Sequence, residues 1–238
     1  MSTIYTYGGK VLVNSETNKW LTKMSTPVDP YNPLGLPEKT MRIQLAQGHE
    51  PNYNPTEMVW TEVDSANNIW DVTFNDSFSN QFTRDYATSI IGFNGEGLGT
   101  YSLEGLFYNL GDLTSVGALN LVGCTSIKYI FENQTHIVSV GPLNTPNITN
   151  AYEAFRGCTS LISVPLFDTS NVTNVEKAFY GCVNVESGAL ALYQQASSQT
   201  TPPESHDLCF ENCGSNTVTG AAELAQIPSS WGGNASPT

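Results

Sequence analysis

The chain has 238 residues, 39% hydrophobic and 13% charged, a balance that supplies apolar surface for a core and excludes an intrinsically disordered chain. Its net charge is −13, yet residues 1–42 carry +2, with Lys10, Lys19, Lys23, Lys39 and Arg42 set against Glu16, Asp29 and Glu38, which leaves −15 on the rest. Phosphate binding rests on clustered Lys and Arg, so nucleic acid is excluded as a partner, and no apolar run approaches the roughly 18 residues that membrane insertion requires.

From the N-terminus, Ile4-Tyr-Thr-Tyr7, Lys10-Val-Leu-Val13 and Lys19-Trp-Leu-Thr22 read as short strands separated by turns. Residues 1–26 are too few to bury a core alone. They are expected to form a β-rich anchoring or oligomerisation arm that buries Tyr5, Tyr7, Trp20 and Leu21 against a partner, the alternative being that the arm folds back as extra cap. Pro27, Pro30, Pro33 and Pro37 make residues 27–40 a stiff, extended linker. The first ten residues show no basic segment followed by an apolar stretch, which favours assembly in the cytoplasm over export.

Residues 41–98 read as an N-terminal cap. Met41-Arg-Ile-Gln-Leu-Ala46 alternates with period two, as a half-buried strand does. Trp60, Trp70, Val72 and Phe74 are expected to cover one end of the body, and Ser89-Ile-Ile-Gly-Phe93 to be a degenerate first coil.

Residues 99–192 repeat. Phe107, Phe131, Phe155 and Phe179 recur at one fixed interval, and the same interval separates Leu113, Ile137, Leu161 and Val185, and again Ser115, Ser139, Ser163 and Ser187. Several independent columns keeping one step mark a repeat architecture. In the unit that runs from Cys158 to Phe179, Leu161–Leu166 reads as a strand, Asp168-Thr-Ser-Asn171 as a turn or helix cap, and Val175, Ala178 and Phe179 as the inward face of a short helical turn. The expected fold is an α/β solenoid, a leucine-rich-repeat-like right-handed coil of 24-residue repeats built from short parallel strands and short helical turns.

Residues 193–238 form a last repeat and a cap. Phe210-Glu-Asn-Cys213 follows after a 31-residue step, because a polar insertion carrying Pro202 and Pro203 intervenes. Ile227 and Trp231 are candidates to close the apolar end of the stack.

The phrases Ala154-Phe-Arg-Gly-Cys-Thr-Ser-Leu161, Leu166-Phe-Asp-Thr-Ser-Asn-Val-Thr-Asn174 and Ala178-Phe-Tyr-Gly-Cys182 resemble the BspA-like leucine-rich-repeat family of gut-bacterial surfaces and their phages. The likeness covers roughly residues 41–233 and is looser before Phe131, where Phe107-Tyr-Asn-Leu110 and Phe131-Glu-Asn-Gln134 lack the family cysteine. It implies adhesion or protein and glycan binding, with no catalytic residues to transfer.

Chemistry-bearing motifs are absent from the sequence: no phosphate-binding glycine loop and no His-Glu-x-x-His. His49, His136 and His206 lie far apart, and no spacing selects a serine nucleophile. Five cysteines, an odd number, read as small buried thiols rather than a disulfide framework or a metal site. No enzyme activity, cofactor or metal is expected. By alternation, Asp112, Thr114, His136, Val138, Ser160, Ile162, Asn184 and Glu186 should form an exposed row able to take a ligand.

These readings together give a non-enzymatic virion structural and binding protein, a phage head or tail fibre or capsid decoration. Residues 1–40 would bind other virion proteins and support a homo-oligomer, and the repeats would attach to a host-surface protein or glycan. The alternative is a bacterial cell-surface adhesin of the same family.

Overall fold

The computed structural model describes residues 28–51, 58–75, 86–108 and 112–235, together with the strand backbone at Thr6–Tyr7 (β1) and Lys10–Val11 (β2), which pair antiparallel. Strands β3 (Thr40–Leu45), β4 (Met58–Asp64), β5 (Ile69–Phe74) and β6 (Ala87–Asn94) follow. Next come β7 (Tyr101–Ser102), β8 (Ser115–Asn120), β9 (Cys124–Ser126), β10 (Ser139–Val140) and β11 (Leu143–Asn144). Helices α1 (Ala189–Ser197) and α2 (Val218–Leu224) and a 3₁₀ turn at Ser229–Trp231 complete the chain.

The main sheet has seven strands in the order β10-β8-β6-β3-β5-β4, with β11 also on β8. It is mixed: β3 pairs antiparallel with β5 and β6, whereas β6, β10 and β11 run parallel to β8. Alternation explains β3, since Met41, Ile43 and Leu45 enter the core while Arg42 faces out and grips Asp71 of β5 through two bonds of 2.7 and 2.8 Å. Trp60, Val72 and Phe74 are buried on β4 and β5. Part of the proline-rich stretch is docked rather than free. Leu36 is buried, exchanges two hydrogen bonds with the Asn32 side chain, and its carbonyl accepts from Asn94 Nδ2 at 3.0 Å.

This architecture overturns the expected leucine-rich-repeat-like solenoid. The described residues build a mixed seven-stranded sheet with two short helices, and both helices lie after the four-phenylalanine block. Two local causes explain the difference. Pro142 separates β10 from β11, and Pro165 sits where Leu161–Leu166 was expected to be a strand; proline has no N–H to give a ladder, so only an isolated bridge, Ser163 to Ser187, survives there. The expected helical turns are plain turns because Tyr129, Glu153 and Lys177 adopt left-handed backbone with φ of 50 to 59°, which interrupts any right-handed helix.

The regular step persists as side-chain stacking and cross-strand bonding. Phe107, Phe131, Phe155, Phe179 and Phe210 stack with successive centroid distances of 5.6, 5.3, 5.0 and 5.9 Å, and Trp231 lies 6.5 Å beyond Phe210. The amides of Phe107, Phe131 and Phe155 each donate to a carbonyl of the next layer, those of Ile130, Ala154 and Ala178 respectively. Gly117 and Gly141 share a column where the backbones nearly touch: a Cβ on Gly117 would lie 2.0 Å from Ile91 O.

The C-terminal helices are locally determined. Ala, Leu and Gln fill α1, and the Glu223 carboxylate accepts from the amides of Gly188 and Leu190 at its N-terminus. Thr217 caps α2 by accepting from Gly220 N–H.

Because its ring is fully buried between two others, Phe155→Ala should cost about 3–5 kcal/mol. Urea unfolding followed by circular dichroism should show this, whereas Val218→Ala, at an 89% exposed position, should change stability by about 0.5 kcal/mol or less.

Candidate binding faces

Leu113, Ile137, Leu161 and Val185 are completely buried, which turns the residue after each of them outward. Thr114, Val138, Ile162 and Glu186 are all exposed. Their amides form a continuous ladder: Thr114 donates to Thr88 O at 3.0 Å, Val138 to Thr114 O at 3.1 Å, Ile162 to Val138 O at 3.1 Å and Glu186 to Ile162 O at 2.7 Å. Four of the eight expected row residues therefore stand in strict register. Thr88 extends the row, and sequence reasoning missed it because the step from Thr88 to Thr114 is longer than the regular repeat.

A second line runs beside the first. Asp112, His136 and Asn184 are exposed, while Ser160 is half-buried. The Asn184 amide donates to Thr159 O at 2.8 Å, and Asn216 Nδ2 reaches Asn184 Oδ1 at 3.4 Å. Tyr5, Trp20 and Leu21 of the expected arm lie outside the described residues, and Tyr7 is described only as strand backbone.

Another face, not foreseen from the sequence, carries tyrosines and charges. Gly105, Tyr129, Glu153 and Lys177 form one column at the regular step, and Tyr108, Glu132, Arg156 and Tyr180 another. Gly105 has φ of 61°, and the three residues that succeed it, at 59, 50 and 53°, hold the same left-handed backbone at a cost of about 1–2 kcal/mol each. Leu208, after the long step, is a fifth at 56°. Such outliers persist where the surrounding structure fixes them. The columns were overlooked because residue identity changes from layer to layer, although the spacing does not.

Charges on this face are paired locally. Arg156 Nη1 lies 2.6 Å from Glu132 Oε1 and 3.4 Å from Glu153 Oε2, and its guanidinium stands 5.8 Å from the Tyr180 ring. Hydrogen bonding to Glu132 raises the Arg156 pKa, and bonding to Glu153 raises that of the Tyr152 hydroxyl. Lys128 Nζ sits over Tyr129 at 4.8 Å and Tyr152 at 5.5 Å. A cleft of about 400 Å³ opens between Gly105, Tyr108, Tyr129, Glu132 and Glu153.

Among the described residues, no group of three or more His, Cys, Asp or Glu is placed to hold a metal ion, and no helix is long and apolar enough to cross a membrane. The histidines are dispersed: His49 stacks on Tyr86 at 3.7 Å, His206 on Trp231 at 4.4 Å, and His136 neighbours Thr135. Cys124, Cys158, Cys182, Cys209 and Cys213 are all buried free thiols. Cys158 and Cys182 donate to the carbonyls of Phe131 and Phe155. Burial pushes Cys124 up to about 12 and also raises Cys158, Cys209 and Cys213. No family model, curated protein or solved structure matches this chain.

The thiols should be silent toward an aromatic disulfide reagent at pH 8 in the native protein and should release five equivalents of chromophore in guanidinium. An unfolded thiol ionises near about 8.5, far below its folded value, so stability should be full below that pH and fall as pH rises toward 12. Urea midpoints measured from pH 8 to 11 check the sign.

Proposed function

We propose that this chain is a non-enzymatic structural and binding protein of a phage virion, a fibre or capsid decoration that presents its layered body for attachment to a host-surface protein or glycan. The observation that carries the binding reading is the exposed row Thr114, Val138, Ile162 and Glu186, held in register by backbone hydrogen bonds through its whole length. A rigid row loses little conformational entropy on binding. Val138 and Ile162, 42% and 45% exposed, are adjacent aliphatics that water covers in the free protein, and Thr114, Glu186, Asp112 and Asn184 around them supply hydrogen-bonding groups. That mixture suits a partner surface better than it suits catalysis, which needs a nucleophile, acid or base held in a pocket. The virion setting, with residues 1–40 as the anchor to capsid or tail proteins and to further copies, rests on the resemblance carried by Ala154–Leu161 and Ala178–Cys182.

Replacing both aliphatics, Val138→Asp with Ile162→Asp, should lower binding to host cells by about tenfold or more while leaving the thermal midpoint nearly unchanged, since both side chains are exposed. A pull-down of labelled protein on host cells, compared with the wild type, reads this directly; undiminished binding would remove the row from the proposal. Mass spectrometry of purified virions tests the setting.

A further inference from the structure

The tyrosine–carboxylate cleft shares no residue with the exposed row, and its chemistry is different. Among the described residues its lining offers two aromatic rings, Tyr108 and Tyr129, two carboxylates, Glu132 and Glu153, and the backbone of Gly105, with no cationic side chain. Both glutamates are largely withdrawn from water, at 6% and 8% exposure; among the described residues Arg156 bridges them, and Lys177 and the Tyr152 hydroxyl also act on Glu153. Carboxylates and ring faces that open into one cleft each attract a cation.

The chain already shows what satisfies such a surface. Each Lys and Arg on this face lies over a tyrosine ring: Lys128 over Tyr129 and Tyr152, Lys177 over Tyr152, and Arg156 over Tyr180. Tyr108 is the more open ring of the cleft, 44% exposed, and it stands in the same column as Glu132.

We propose that this cleft is a second binding site, one that receives a basic side chain of a partner protein, with arginine preferred. A guanidinium would lie on Tyr108 and meet the Glu132–Glu153 pair, repeating the arrangement that Arg156 makes with Tyr180. Arginine is preferred over lysine because its planar, forked donors match two carboxylates and stack on a ring at once. The volume of about 400 Å³ admits a guanidinium with its methylene stem, and the net charge of −13 draws basic partners toward the protein.

The test uses the full chain and two blocked tripeptides, acetyl-Gly-Arg-Gly-amide and its citrulline analogue, which keeps the shape and loses the charge. Isothermal calorimetry at millimolar peptide should give saturable binding of the arginine peptide, weakened by added salt, and about tenfold weaker binding of the citrulline peptide. Tyr108→Ala should weaken the arginine peptide about threefold or more, the loss expected for one exposed cation–π contact. Glu153→Gln should weaken it further while retaining the side-chain shape. Thermal unfolding of both variants identifies any loss of fold. Absence of saturation, equal binding of the two peptides, or a folded Tyr108→Ala variant that binds as the wild type does would each overturn the proposal.

Discussion

Every layer of the second half depends on a bond to the layer after it. The amide of each central phenylalanine donates forward to a carbonyl in the following layer, and its ring rests against the next ring at 5.0 to 5.6 Å. Hydrogen bonding and aromatic burial are thus satisfied by one translation, which is why no layer is stable alone and why identical columns recur. The stack ends on Trp231, whose carbonyl accepts from Phe210 and whose ring covers it. At the other end the layers are continued by a true sheet: β6 pairs in parallel with β8, and β3, β5 and β4 extend it antiparallel.

That dependence separates scaffold from surface. Columns that point inward are mostly Phe, Leu, Ile, Val, Cys and Ala, because any change of volume is felt by two neighbours at once. Outward columns carry no such restriction. There the backbone still fixes position, so changing a residue alters chemistry without altering geometry. The row through Val138 and Ile162 and the face through Tyr108 and Glu153 are two uses of that freedom, one mixed aliphatic and polar, the other aromatic and charged.

Much of the packing was legible in the residues, because burial and period are the same signal. The repeating columns identified Phe107 to Phe179 as interior, alternation placed Met41, Ile43 and Leu45 inside β3, and Ile227 and Trp231 stood out as closing residues; all are buried. The form of the backbone was less legible. An apolar stretch such as Leu161–Leu166 has strand composition, but a single proline removes the donor that pairing needs, and Leu166 ends up 51% exposed. The left-handed residues were invisible as well, since Tyr, Glu and Lys are not types that announce positive φ. The cleft escaped notice for a related reason: its residues are united by position and not by type.

The forward direction of the bonds in the phenylalanine column also bears on synthesis. A chain emerges from the ribosome N-terminus first, so when Phe131 becomes available the carbonyl of Ala154 that must receive its amide has not yet been made. The exposed row can bond back to the layer before it at once, but the phenylalanine column waits one full repeat to close, so the growing end presents unsatisfied amides to its surroundings. Completion arrives only with the segment that holds Trp231, so nascent chains stalled before that point would keep an open, apolar end and become natural clients for chaperones.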